Sequence, residues 1–198
     1  MTSLTIRLAE VPDALAIGET HAASWQEAYA DMFEPEFLAR STAGRRRGWQ
    51  FSIERIVTPP NVLLVAEVDG TVRAFAHAAP ADDEGIPSLG GSPRSLGRAT
   101  PAQRDDRTSR IRGFFGHPVV WGTGVAEELM GQLLQRLRGR YSKVMLWTPR
   151  GAQRARGFYE KMGFTWTGDE AVQEISDWTT GETSELVVVQ YTYRLADG

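Results

Sequence analysis

Phe115-Gly116-His117-Pro118-Val119-Val120-Trp121-Gly122-Thr123-Gly124-Val125-Ala126 is the stretch from which the rest of this chain becomes readable. Regular structure is expected just before it, over Ile111 to Gly116. A helix is expected just after it, to about Arg138. In that helix Leu129, Leu133 and Leu137 form one apolar row, with Ala126, Met130 and Leu134 beside it. The pattern is strand, Gly-x-Gly, helix. A helix N-terminus offers unpaired N–H groups and a partial positive charge. Glycines let a phosphate reach the backbone without meeting a Cβ. A bare Gly-x-Gly also fits an ordinary turn. A Walker A loop would need Gly-Lys-Ser/Thr where Val125-Ala126-Glu127 stands. A dinucleotide fingerprint would need a small residue at Glu127 and an early βαβ unit.

Working outward, Leu4, Ile6 and Leu8 alternate as a short half-buried strand. Pro12-Asp13 opens a helix whose apolar positions run through Leu15, Ile17 and Ala22 to Trp25 and Tyr29. A second helix starts near Pro35, with Phe37 and Leu38 inward. A third runs from about Arg46 to Ile56 and stops at Pro59-Pro60. Asn61 to Val68 and Thr71 to Ala79 form a hairpin about Asp69-Gly70. Residues 80–110 are dominated by Gly, Pro, Ser, Asp and Arg, and are expected to form a flexible insertion. Lys143 to Trp147 is a buried strand and Gly151 to Met162 a helix stopped by Gly163. Phe164 to Thr167 and Glu185 to Leu195 close the chain as strands. The order predicts one α/β domain over 1–198, a mixed sheet with helices packed on its faces.

Bulk properties agree. The 198 residues are 41% apolar and 24% charged, with a net charge of −3 and no cysteine. Disulfides, cysteine–zinc sites and thiol nucleophiles are excluded. The charge argues against a nucleic-acid or membrane-surface partner. No apolar run approaches the ~18 residues of a membrane span, and no signal peptide is evident, so a cytoplasmic location is expected.

Three blocks in this chain resemble the GNAT superfamily, the Gcn5-related N-acetyltransferases. The first is Ile6-Arg7-Leu8-Ala9 with Asp13, then Ser24-Trp25-x-x-Ala28-Tyr29. The second is Phe115 through Met130. The third is Leu146-Trp147-Thr148-Pro149 followed by Arg154-Ala155-x-x-Phe158-Tyr159-Glu160-Lys161-Met162-Gly163-Phe164. The resemblance implies a mostly antiparallel, twisted sheet splayed at the cofactor strand. It implies acetyl-CoA as acyl donor and direct transfer to a primary amine. Backbone groups of Phe114, Phe115, Gly116 and His117 would pair with the pantetheine arm. The N–H groups of Trp121, Gly122, Thr123, Gly124, Val125 and Ala126 would take the pyrophosphate. Phe158 and Lys161 would lie beside the cofactor, and Arg150, Arg154 or Lys161 would reach its 3′-phosphate.

By the same resemblance Tyr159 is the general acid that protonates the departing thiolate; packing beside Phe158 would equally explain it. Trp25, Tyr29 and Phe33 share one helical face, which fits core packing as well as an acceptor wall. The chain departs from the family pattern at Val119, Ala126 and Ala152, and Arg110 to Phe114 carries no carboxylate. Base candidates are therefore remote: Glu27, Asp31, Glu34, His77, Asp105 and Asp106. Arg45-Arg46-Arg47 reads as a solvated face or a contact for an acidic substrate. The expected acceptor is a small amine, bound by a monomer or homodimer. Other acyl-CoAs, and an acyl-CoA-binding module with little catalysis, remain alternatives.

Overall fold

The structure is a computed structural model in which residues 2–81, 94–95, 107–177 and 180–196 are described, with backbone only at 94–95. Strand β1 (Leu4–Leu8) leads through a short turn of helix into α1 (Ala14–Ala28) and α2 (Pro35–Ile56). Strands β2 (Val62–Val68), β3 (Thr71–Pro80), β4 (Arg94–Ser95) and β5 (Thr108–Gly116) follow. Next come α3 (Val125–Leu137), β6 (Lys143–Pro149), α4 (Gln153–Lys161), β7 (Thr165–Ser176) and β8 (Thr183–Arg194). All strands join one sheet in the order β1-β2-β3-β5-β6-β8-β7-β4. Every neighbouring pair is antiparallel except β5 and β6.

The two sheet faces bury different helices. Leu129, Met130, Leu133 and Leu137 of α3 pack with Leu64, Ala76, Ile111, Val144 and Tyr191, and Tyr159 of α4 joins them. Ile17, Trp49 and Ile53 of α1 and α2 pack on Leu63, Val65 and Phe75 across the sheet. Helices thus cover both faces, as the alternation along each strand requires. Asp69 and Gly70 take positive φ of 49° and 76°, the two-residue turn that matches strand twist.

Several sequence expectations are corrected. The second and third helices are one, α2, which lies close against Gly18 of α1. A Cβ on Gly18 would come within 2.3 Å of the Arg46 carbonyl oxygen. Leu4 and Leu8 are 40% and 51% exposed, since β1 is an edge strand and only its Ile6 packs on the core, and Leu15 of α1 is 63% exposed. The final hairpin is longer than predicted, because β7 continues through polar residues to Ser176. The insertion is not wholly without regular structure. Arg94 and Ser95 pair with Val172 and Ala171, and Thr108 to Arg110 belong to β5. Backbone pairing at a sheet edge needs no apolar side chains. Pro80 ends β3, and residues 82–93 and 96–106 of the predicted flexible stretch lie outside the described residues.

Candidate functional site

The site begins where the sheet opens. Parallel pairing holds β5 to β6 only over Thr108–Ile111 and Lys143–Leu146. On its other edge β5 stays paired with β3 as far as Gly116. Between them, His77 pairs with Gly113 and Ala78 with Ile111, so Arg112 is the extra residue of a bulge. A bulge bends its strand and strengthens the local twist. Beyond it, β5 and β6 diverge. The N–H of His117 donates to Arg73 O at 2.7 Å, toward β3. Alternation along the strand then turns the backbone groups of Phe114 and Gly116 into the gap and leaves those of Phe115 on the β3 side. The Gly116 carbonyl is already taken, by the indole N–H of Trp121 at 2.7 Å.

The loop ends at a helix N-terminus. Gly122 and Gly124 have φ of 74° and 90°, a left-handed backbone that favours glycine, and the space where each Cβ would sit is open. Not every amide from Trp121 to Ala126 is available. Trp121 N–H donates to Pro118 O and Thr123 N–H to Val120 O, at 3.1 and 3.3 Å. The amides of Val125 and Ala126 fall in the first turn of α3, which has no intrahelical acceptor. The Glu127 carboxylate would oppose an anion there, but Lys161 Nζ holds it at 2.8 Å. That hydrogen bond keeps the Glu127 carboxyl below its usual range.

A cleft of about 800 Å³ runs from this loop through the gap to the end of α1. Tyr159 lines it, its ring enclosed by Phe114, Phe158, Phe164 and Tyr191 at centroid distances of 5.6–6.4 Å. Its hydroxyl has no hydrogen-bond partner among the described residues. Burial, then the nearby Tyr29, raise its pKa well above that of an ordinary phenol. Tyr29 is pushed up to about 12 by burial, against a lowering by Arg45. Tyr29 stacks on Trp25 at 3.8 Å and on Phe33 at 6.0 Å.

A family model described as the acetyltransferase (GNAT) family matches residues 22–164. The chain belongs to this family. Solved structures agree in fold. The PaiA N-acetyltransferase of Thermoplasma acidophilum in complex with coenzyme A aligns with a TM-score of 0.65 at 14% identity, over 96% of this chain and 99% of that one. The protein yncA of Salmonella typhimurium with its cofactor acetyl-CoA gives 0.59 at 17%, over 99% and 96%. The ribosomal-protein-alanine N-acetyltransferase of Brucella melitensis gives 0.60 at 15%, over 96% and 99%. No curated protein matches.

In this GNAT chain the cleft gathers most, but not all, of the residues singled out from sequence. Trp25, Tyr29, Phe114, Phe115, Gly116, Trp121, Gly122, Ala126, Phe158, Tyr159 and Lys161 line it. Phe33 does not; it is 8% exposed and packs with Trp25 and Phe37. Thr123, Gly124 and Val125 are not in the lining, and Val125 packs into the core. His117 is also outside; its Nδ1 accepts from Val119 N–H at 3.2 Å and caps a turn. His77 is buried beside Asn61, with Nε2 3.2 Å from Oδ1, and does not line the cleft.

Of the remote carboxylates, Glu27 and Asp31 line the cleft and Glu34 does not. Asp105 and Asp106 lie outside the described residues. Arg45 is not on a solvated face. It is 6% exposed, its guanidinium lies 3.2 Å over the Trp25 ring, and burial pulls its pKa down to about 9. Only Arg46 and Arg47 of the triplet are exposed. Sequence reasoning passed over Arg110, Arg112 and Gln173, which also line the cleft. Two arginines on one strand directly before the loop were the available signal. Among the described residues no helix is long and apolar enough to cross a membrane.

Proposed function

We propose that this protein moves an acetyl group from acetyl-CoA to a primary amine by direct attack within the cleft. The observation that carries the proposal is the Tyr159 hydroxyl. It ends an aromatic enclosure beside the open edge of β5 and has no hydrogen-bond partner among the described residues. The open backbone groups of Phe114 suit the amide-bearing arm of the cofactor, and the first turn of α3 suits its pyrophosphate. The two solved structures with coenzyme A and acetyl-CoA support the donor.

The amine nitrogen attacks the thioester carbonyl, forming the C–N bond. The C–S bond breaks and the electron pair leaves on sulfur. The Tyr159 hydroxyl gives its proton to that sulfur, and the phenolate regains one from the acylated nitrogen through water. A thiol near 8.5 is ordinarily a better acid than a phenol near 10. Burial disfavours the thiolate as well as the phenolate, so the transfer relies on the position of the hydroxyl at the departing sulfur. Burial also keeps Tyr159 protonated, so the donor is present at neutral pH.

Tyr159→Phe tests this. Turnover with an accepted amine is expected to fall about 100-fold or more, with coenzyme A binding retained. Unchanged kcat removes the acid role. A second possibility, an acyl-CoA-binding module with little catalysis, draws on arginines rather than a carboxylate occupying β5. It gains if a broad amine panel releases no coenzyme A above hydrolysis.

A further inference from the structure

Arg110 and Arg112 place two cations on the same cleft wall, at and just before the bulge of β5. Arg110 is largely buried, and its Nε reaches no hydrogen-bond partner. Its guanidinium forms no ion pair with a described residue. The described carboxylates that share the cleft do not neutralise it: Glu127 is held by Lys161, and Glu27 and Asp31 stand exposed at the end of α1. Burial and the neighbouring charge of Arg112 pull Arg110 down to about 10, so it remains charged at neutral pH. A buried cation beside another cation, opening on a cleft, is costly unless an anion completes it.

The position of Arg110 says which anion. It pairs with Ala79 on one side and Met145 on the other, on the unsplayed part of β5. Its partner Ala79 continues the row of Phe75 and His77, which faces α1 and α2. From Arg110 to Gly116 the strand spans the partner steps from Ala79 to Ala74 on β3, roughly 17 Å at about 3.3 Å each. A pyrophosphate on the first turn of α3 is therefore far out of reach. The thioester end of a cofactor laid along Phe114 would lie between the two anion sites. What remains for Arg110 is the part of the same cleft where β5 and β6 still pair, the side from which an acceptor amine would meet the thioester.

We infer that Arg110 recognises a carboxylate carried by the acceptor amine, making the preferred acceptors amino acids or similar amino carboxylates. This rests on the acetyl-transfer proposal. A guanidinium accepts a carboxylate through two parallel N–H bonds, which would fix the acceptor with its amine pointing along the cleft toward the thioester. A carboxylate on the acyl group, as in succinyl-CoA, shares this chemistry and is separated in the test.

The test compares the α-amino acids with their α-carboxamides, in wild type, Arg110→Gln and Arg110→Lys. Coenzyme A release with acetyl-CoA gives turnover, and calorimetry on protein saturated with coenzyme A gives acceptor binding. The wild type should prefer at least one amino acid over its carboxamide by about 10- to 100-fold in kcat/KM. Arg110→Gln should lose that preference, with the rise in KM for the amino acid far exceeding any change for its carboxamide. Arg110→Lys should recover part of it, and thermal melts establish that both variants fold. Turnover of carboxamides without preference for carboxylates overturns the inference and leaves acetyl transfer standing. Turnover with no amine at all overturns acetyl transfer. In that event saturable amino-acid binding that disappears in Arg110→Gln still supports the inference, and no binding overturns it. Preference for succinyl-CoA over acetyl-CoA that vanishes in Arg110→Gln assigns the carboxylate to the acyl group and overturns the acceptor assignment.

Discussion

The guanidinium of Arg154 lies 3.7 Å over the indole of Trp121, joining α4 to the glycine loop. Trp121 in turn donates to the Gly116 carbonyl. Of the three cations considered for the cofactor's 3′-phosphate, Arg150 is paired with Glu170 at 3.3 Å and Lys161 with Glu127 at 2.8 Å. Among the described residues Arg154 has an aromatic partner and no carboxylate, so its charge is available at the loop. Arg154→Ala is expected to weaken coenzyme A binding about 5- to 30-fold, as loss of one charge-assisted contact predicts. Dephospho-coenzyme A, which lacks the 3′-phosphate, should bind both proteins alike. Equal weakening for the two ligands would assign Arg154 to holding Trp121 instead.

Burial raises the pKa of Tyr159, and Tyr29 beside it is pushed up to about 12. A raised value keeps a phenol protonated to higher pH, so a donor Tyr159 is lost only above the ordinary tyrosine range near 10. The descending limb of kcat is therefore expected beyond about pH 10. A pH–rate profile checks this. A limb with its midpoint near 8 would assign the titration to some other group.

Gly124 and Gly131 offer opposite outcomes within one helix. Gly124 caps α3 at φ 90°, and alanine there costs about 1–2 kcal/mol of stability and displaces the first-turn amides. Acetyl-CoA binding should fall with it. Gly131 is exposed in the interior of α3, with open space at its Cβ position. Gly131→Ala should stabilise by about 0.5–1 kcal/mol and leave binding alone. Urea unfolding of both variants measures the pair.

Asp13 binds Arg7 through two hydrogen bonds of 2.7 and 2.8 Å, tying β1 to the start of α1. The hydrogen bonds from Arg7 hold its carboxyl below the usual range. A carboxylate lowered on folding stabilises the native state above its unfolded pKa, near 3.9, and loses that contribution as pH falls through the folded value. Asp13→Asn should cost about 1 kcal/mol at pH 7, discounted for the half-exposed arginine, and nearly nothing at pH 2. A cost that persists at pH 2 would trace to shape rather than charge.

The sheet, the glycine loop and α3 were legible because their apolar periods and turn residues agree with the folded result. Misreadings arose where tertiary packing overrides local pattern. The sequence predicts two helices, one from near Pro35 and one from about Arg46, yet α2 runs unbroken over Pro35–Ile56 and meets α1 at Gly18. Arg45 looked solvated beside Arg46 and Arg47. It falls four residues from both Ser41 and Trp49, which are 2% and 1% exposed, and that spacing was the missed sign of its inward face. The cleft's arginines were passed over for a different reason. A search for a carboxylate on β5 discarded the cations found there, and strand pattern does not show a bulge. Arg112 is an extra residue only by the register of β5 against β3.

The divergence of β5 from β6 leaves an open seam within the sheet rather than at its rim. Only four residues on each strand clasp the two sides there. Unpaired strand backbone is a surface on which other chains add. A cofactor arm lying in the seam would act as the absent strand, closing it against foreign partners. The supply of acyl-CoA would then govern more than turnover: it would set how long this seam stands exposed, and with it the protein's tendency to self-associate when starved of ligand.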